Sequence, residues 1–189
     1  LSDYGLSALK EGLVSAGQIV NIFYTPKPDN VNTDNLTHLF SENGLIALRR
    51  KLITLEDARK ISDLKSLLTP EGLNALECNA ITIDEAKSNS NLTILTIPNA
   101  VTALKEKLIT LTQVNKFHGY TSNSMHSSSL KHMLSDNGLQ ALREGLIKPD
   151  EAALFYHSGS ISGPLDNLEC LLTPTGIAAL RKRLITPMQ

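Results

Sequence analysis

One short motif recurs six times along this chain of 189 residues. A tandem repeat constrains the fold more than any other sequence feature, because each copy must pack against its neighbours. The copies, numbered 1 to 6, start near residues 1, 40, 68, 96, 134 and 172. An Ala-Leu pair in every copy aligns six leucines: Leu9, Leu48, Leu76, Leu104, Leu142 and Leu180. Two intervals between these leucines are 28 residues and three are 38 or 39, so three intervals carry an insertion of about 10 residues.

Each copy is predicted to open with a helix. A Ser or Thr followed by Asp, Glu or Pro indicates its N-terminus, because the side-chain oxygen accepts a hydrogen bond from a free backbone N–H. These residues are Ser2, Ser41, Thr69, Ser135 and Thr173. Apolar residues follow at helical spacing and predict one buried stripe: Leu6, Leu9 and Leu13 in copy 1, Leu45, Leu48 and Leu52 in copy 2, and Ile177, Leu180 and Leu184 in copy 6.

A second helix is predicted to follow directly. Thr54, Thr82 and Thr110 each precede an acidic or amide residue by three positions, which is typical of a capping box. In copy 5, Pro149 takes the first helical position. Helices this short are not stable alone in water, so the copies must stack. We therefore expect one all-α domain over residues 1–189, in which tandem helical hairpins form a small α-solenoid or an irregular bundle.

The sequence carries no recognisable catalytic motif. It has no Gly-rich phosphate loop, His-Glu-x-x-His pair or Gly-x-Ser-x-Gly elbow. His118, His126 and His132 flank a Ser-rich stretch, but their spacing matches no standard metal site. Cys78 and Cys170 stand outside any Cys-x-x-Cys pattern. We predict a non-enzymatic protein with no catalytic residue, metal or cofactor, and we attribute four glycines in one helical slot to close approach of a neighbouring helix: Gly5, Gly44, Gly72 and Gly138.

Overall charge and hydropathy exclude other classes. A net charge of −1, from 18 basic and 19 acidic residues, provides no field that would attract nucleic acid. No apolar run approaches the ~20 residues of a transmembrane helix. Because the chain begins at Leu1 without an initiator Met or a signal-peptide pattern, we expect it to be a fragment of a longer protein.

A row of basic residues is the first candidate binding surface. The residue directly after the Ala-Leu pair is basic in five of the six copies: Lys10, Arg49, Lys105, Arg143 and Arg181. Lys51, Lys107 and Arg183 lie two residues further on. These cations either complement the negative end of each helix dipole, or form a basic ridge that docks an acidic protein or a phosphoinositide head group.

The three insertions are the second candidate surface. They read TPKPDNVNTDN after Tyr24, GYTSNSMHSSS after His118 and SGSISGPLDN after His157, a composition that favours surface loops over helices. Aromatic residues stand at the loop roots: Tyr24, Phe117, Tyr120, Phe155 and Tyr156. These rings either fix the loops to the core or belong to a binding site along one edge of the array.

The repeated pattern [LF]-[ST]-x-x-G-L-x-A-L-[KR]-x-x-L-I-T resembles small helical units near the C-terminal ends of secreted Legionella effectors of the RavJ type. The Leu-Ile-Thr turn followed by acidic residues is also similar to bacterial helical hairpins of the SHOCT type. The effector resemblance implies an accessory region, delivered into a host cell, that binds a host or bacterial protein beside a catalytic domain elsewhere. Without that resemblance we expect a cytoplasmic protein.

The sequence thus predicts a protein-binding or scaffolding module that recognises its partner through the loops or the basic ridge. A domain that targets membranes through phosphoinositides is one alternative. A structural spacer or oligomerisation segment is the other.

Overall fold

A computed structural model describes residues 2–24, 34–118, 126–152 and 167–187. These residues form fifteen α-helices with one π-helical and one 3-10 turn, and they include no strand. The predicted all-α class is confirmed. The chain divides into two compact units of three copies each, residues 1–96 (unit 1) and 97–189 (unit 2). The single domain and the solenoid arrangement stay predictions.

Three kinds of helix recur in the copies. The motif helix carries the Ala-Leu pair, the second helix follows it, and a leading helix precedes it in copies 2, 3, 5 and 6. The motif helices are α1 (Asp3–Lys10), α4 (Glu42–Arg49), α7 (Pro70–Glu77), α9 (Ala100–Lys105), α12 (Asp136–Arg143) and α15 (Pro174–Arg181). The second helices are α2 (Ala16–Ile19), α5 (Leu55–Lys60), α8 (Ile83–Ser88), α10 (Leu111–His118) and α13 (Pro149–Ala152). The leading helices are α3 (Asp34–Leu39), α6 (Leu64–Leu67), α11 (His126–Met133) and α14 (Asn167–Leu171).

Within each unit, equivalent helices of successive copies pack together. In unit 1, α1 packs on α4 and α4 on α7, while α5 packs on α8. A π-helical turn at Val20–Tyr24 extends α2 and contacts α5, and a 3-10 turn at Thr93–Thr96 contacts α6 and α7. In unit 2, α12 packs on α15, and α11 contacts α10, α12 and α14.

The motif helices begin where the sequence predicts in five copies. The hydroxyl oxygen at each predicted N-terminus accepts a hydrogen bond of 3.1–3.3 Å from the N–H of the glycine three residues later. In copy 4, Asn99 stands before the helix with a φ of 64° and makes no such bond. Its side chain instead donates to the Leu134 carbonyl of copy 5 at 3.1 Å.

All six motif helices end in the same backbone motif. The residue three positions after the aligned leucine has a left-handed φ of 55–69°. The next N–H donates to the carbonyl of the aligned alanine at 2.8–3.0 Å, which is a Schellman motif. Glycine occupies this left-handed position in copies 1 and 5, as Gly12 and Gly145. Lys51, Lys107 and Arg183, which the sequence groups with the basic ridge, occupy it in copies 2, 4 and 6.

The predicted second helices are also present. Thr54 and Thr82 form complete capping boxes with Asp57 and Glu85. Thr110 exchanges the same two bonds with its Gln, at 3.0 and 3.2 Å. A further box at Ser15 opens α2, which the sequence analysis did not predict.

The leading helices correct the view that the insertions are only loops. Asp34 and Asn35 of the first insertion begin α3, and the last four residues of the second, His126–Ser129, lie in α11. The third insertion ends on Asn167, the first residue of α14. The composition of these stretches gave a wrong prediction, because burial elsewhere in the same helix overrides weak local preferences. The buried residues are Leu36 and Leu39 of α3 and Leu130 and Met133 of α11. The other insertion residues lie outside the described ones.

The glycines of the motif helices allow the leading helices to approach closely. A Cβ on Gly44 would lie 2.0 Å from the carbonyl oxygen of Leu39, and one on Gly72 2.2 Å from that of Leu67. Gly138 and Gly176 face α11 and α14 in the same way, at 2.2 and 2.1 Å. The predicted close approach is confirmed at Gly44, Gly72 and Gly138.

The apolar stripe of the motif helix is mostly buried in copy 2 and partly exposed in copies 1 and 6. Leu45 and Leu48 of copy 2 are buried. Leu6 of copy 1 is 44% exposed and Leu184 of copy 6 is 71% exposed, so the prediction of a buried stripe is wrong at these two residues. The motif helix of copy 1 packs on α4, and that of copy 6 packs on α12.

Candidate binding surfaces

The five residues of the predicted basic ridge lie at the C-terminal ends of five motif helices, and each is exposed. We call this the ridge position; in copy 3 it holds Glu77. The residue after it is called the following position, and from copy 1 to copy 6 it holds Glu11, Arg50, Cys78, Glu106, Glu144 and Lys182.

Three ridge arginines bind a glutamate of the preceding copy. Arg49 Nε and Nη2 donate to the two carboxylate oxygens of Glu11 at 2.8 and 2.6 Å. Arg143 holds Glu106 in the same way at 2.7 and 2.9 Å. The pair of Arg181 and Glu144 repeats it at 2.7 and 2.5 Å. Two parallel hydrogen bonds between a guanidinium and a carboxylate fix the geometry of both groups.

The junction between copies 2 and 3 uses the same two positions with the charges reversed. Arg50, at the following position of copy 2, forms an ion pair with Glu77, at the ridge position of copy 3. Four junctions between successive copies, two in each unit, therefore carry an ion pair at equivalent places. We call these four pairs the ion-pair ladder.

The ladder also perturbs its carboxylates. Hydrogen bonds from the arginines that they face lower the pKa of Glu11, Glu106 and Glu144 below the ordinary value of 4.5. These side chains are solvent-exposed, so each pair contributes little to stability by itself. Its geometry can still favour one neighbour over another.

The ladder limits what the basic ridge offers to a partner. The guanidiniums of Arg49, Arg143 and Arg181 already face a carboxylate, and neither interpretation of the sequence anticipated this pairing. Lys10 and Lys105 form no ion pair with any residue that the structure describes. Partner binding by the ridge stays a prediction, and these two lysines are the ridge cations that could serve it without breaking an existing pair.

One predicted loop root can be placed, and it borders a groove. Tyr24 ends the π-helical turn after α2, and its side chain is 62% exposed. The side chain of Phe117, which lies in α10, falls outside the described residues, as do Tyr120, Phe155 and Tyr156 entirely. Their predicted roles stay predictions.

The groove of unit 1 lies between α1, α2 with its π-helical turn, and α3, and has a volume of about 550 Å³. Its wall is mostly apolar, and the hydroxyl groups in it belong to Ser2, Tyr24 and Thr37. The aliphatic and aromatic side chains that line it are Leu9, Ala16, Ile19, Val20, Tyr24, Leu36 and Phe40. Ser2 Oγ donates to the Phe40 carbonyl at 2.7 Å, a bond between copies 1 and 2 at one side of the groove.

Two side chains at this groove are unusually exposed for their chemistry. Val20 is 54% exposed, close to the value for Tyr24, although most large apolar side chains of unit 1 are buried. Sequence reasoning found Tyr24 as a loop root but missed Val20. Ile19 is buried and Val20 is exposed, but the sequence around them does not show which of the two faces the core. Helix α2 has only four residues before the π-helical turn, which is too short for a helical pattern of apolar residues to be recognised.

The histidines, cysteines and acidic residues that the structure describes bear on the metal sites considered in the sequence. They contain no group of three or more His, Cys, Asp or Glu placed to hold a metal ion. The distance between His132 Nε2 and Glu169 Oε2 is 3.8 Å. The side chains of His118 and His126 are not among those that the structure describes. Cys78 is half-buried and Cys170 exposed. In the part of the chain covered by the structure, no helix is long and apolar enough to cross a membrane.

No known protein family, curated protein or solved structure matches this chain. The resemblance to effector repeats therefore stays a prediction.

Proposed function

We propose that this chain is a non-catalytic protein-binding module, as the resemblance to secreted effectors implies, and that it recognises an apolar segment of its partner in the groove of unit 1. The observation that carries the proposal is the pair of exposed side chains, Val20 and Tyr24, at an apolar groove of about 550 Å³. Exposed apolar patches on soluble proteins commonly mark interaction sites. An amphipathic helix that lays its apolar face into a groove is a recurrent way to use such a surface.

The groove is favoured over the basic ridge as the recognition surface because of the ladder. A partner that took Arg49, Arg143 or Arg181 would have to displace a carboxylate held by two hydrogen bonds. Burying the exposed apolar surface of Val20 and Tyr24 is favourable. The groove also includes one of the predicted loop roots, so this proposal deepens one of the two sequence hypotheses.

A displayed library of random peptides, selected on the wild-type chain, tests the proposal. We expect the selected peptides to carry apolar residues at helical spacing. They should bind the variants Val20→Asp and Tyr24→Asp at least about tenfold more weakly, which corresponds to ~1.4 kcal/mol. Leu184→Asp is the matched control, because it places the same charge on an exposed apolar side chain that does not line the groove.

The alternatives give different results in the same material. If the selected peptides bind all three variants with the same affinity as the wild type, the groove is refuted as the binding site. A chain that selects no peptide but floats with vesicles containing phosphatidylinositol bisphosphate, and loses flotation in Lys10→Glu with Lys105→Glu, would support membrane targeting instead. Absence of both activities is the result expected of a structural spacer.

A further inference from the structure

The ion-pair ladder combines two features. The same two positions are paired in all four junctions, yet one junction has the opposite polarity. Copies 1, 4 and 5 have glutamate at the following position, and it pairs with arginine at the ridge position of the next copy. Copy 2 instead has Arg50 at the following position, which pairs with Glu77 at the ridge position of copy 3. The two charges at each junction are therefore always opposite, although their signs are reversed at this one.

Similar repeats within one chain face a particular hazard during folding. All six motif helices carry apolar residues at the same spacing and end in the same C-terminal motif, and five share the same N-terminus, so the apolar contacts alone distinguish one neighbour from another poorly. Misassembly and domain swapping are the characteristic failures of such chains. Charges at an interface oppose wrong partners more effectively than they add affinity for the right one.

We propose that the signs of the ladder charges select which repeat docks on which, and that the reversed pair Arg50–Glu77 fixes copy 3 behind copy 2. Of the six ridge positions, Glu77 holds the only acid. Arg50 would therefore face a cation on any other copy, and Glu77 would face a glutamate behind copies 1, 4 or 5. Only Lys182 of copy 6 could compete with Arg50 for Glu77.

The expected size of the preference follows from exposed ion pairs. An attractive pair at the surface favours its junction slightly, and a like-charged pair disfavours it by a similar amount. The two together change the ratio of correct to incorrect junctions roughly 2- to 30-fold. This is small for equilibrium stability, but it is enough to alter the yield of correctly assembled chains when several similar junctions compete.

A pair swap in the full chain tests the proposal. Arg50→Glu combined with Glu77→Arg keeps an attractive pair but gives this junction the polarity of the other three. The matched control swaps Glu56 and Lys60, an exposed pair within α5, by Glu56→Lys with Lys60→Glu. Each chain is unfolded in urea and refolded at several protein concentrations, and monomer and dimer are separated by gel filtration with light scattering.

We expect the Arg50–Glu77 swap to keep the urea midpoint of the wild type while its dimeric fraction after refolding rises at least about twofold. The control should keep the monomer yield of the wild type, although its urea midpoint should fall slightly because the swapped charges oppose the dipole of α5. Arg50→Glu alone, which places two glutamates at the junction, should lower the urea midpoint. The proposal is overturned if the swapped chain refolds with the wild-type monomer yield, or if its midpoint falls as far as that of Arg50→Glu.

Discussion

Replacement of Gly44 by Ala is the most direct test of how the repeats are built. A Cβ at this position would lie 2.0 Å from the Leu39 carbonyl oxygen and 2.7 Å from that of His38. The first distance is 1.4 Å short of the 3.4 Å at which ordinary contact begins. Both obstacles are backbone atoms of α3, so no side-chain rotation relieves the overlap. The leading helix itself must move away from the motif helix.

The magnitude follows from two opposing effects. Alanine in a helix is intrinsically better than glycine by about 1 kcal/mol. Overpacking a closely packed site costs typically 1–3 kcal/mol, and the upper end applies here because backbone must shift. Movement of α3 would also strain the 2.7 Å bond from Ser41 Oγ to the His38 carbonyl. We expect Gly44→Ala to lower the free energy of unfolding by roughly 2 kcal/mol.

Gly17 provides the matched control. It lies in α2, and a Cβ there would meet nothing within 4 Å. Gly17→Ala should therefore raise the free energy of unfolding by about 0.5–1 kcal/mol, the opposite sign for the same chemical change. Urea denaturation followed by circular dichroism at one temperature measures both variants. The reasoning is refuted if Gly44→Ala is as stable as the wild type or shifts in the same direction as Gly17→Ala.

Three further predictions concern other parts of the repeat. At the left-handed position, Lys51→Gly should raise the free energy of unfolding by about 1 kcal/mol and Gly12→Ala should lower it by a similar amount; equal signs in urea denaturation would contradict this. Asn35→Ala should lower it by roughly 2 kcal/mol, because the buried amide donates to the carbonyls of Ala58 and Ile61 at 2.8 Å, whereas exposed Asn74→Ala should change it little. The three ladder glutamates have folded pKa values below 4.5, so the stability they contribute is complete above that pH and is lost as pH falls through the folded values. Replacing all three by Gln should flatten the acid limb of a urea-midpoint profile, and an unchanged acid limb would show that they do not contribute.

The starts of five motif helices could be read from the sequence because they depend on local chemistry. A hydroxyl at the N-terminus and a capping box at the turn involve residues within three positions of each other, so the pattern alone predicted Ser41 and Thr54 correctly. Gly12 and Gly145 indicate the left-handed position at the C-terminal end of the motif helix. Lys51 occupies the same position in copy 2, so the sequence alone does not show that all copies share it.

The candidate site was less predictable, because exposure depends on what packs nearby. Leu6 and Leu45 occupy the same repeat position, yet one is exposed and the other is buried. Val20 follows buried Ile19, and its place at the groove depends on a π-helical turn that no sequence pattern indicated.

What the sequence by itself determined is the repeat: six copies, the N-termini of five motif helices and the all-α class, since these follow from interactions within about four residues. Only the tertiary structure decided how the copies meet. Three cations of the row seen in the sequence belong to the ion-pair ladder, since packing brings each one against a glutamate of the preceding copy. Arg49 and Glu11, for example, are 38 residues apart in sequence and face each other across a junction. The sequence predicted that a helix approaches Gly44 closely, but only the tertiary structure identifies that helix as α3. Both relations join residues brought together by packing, which local chemistry does not record.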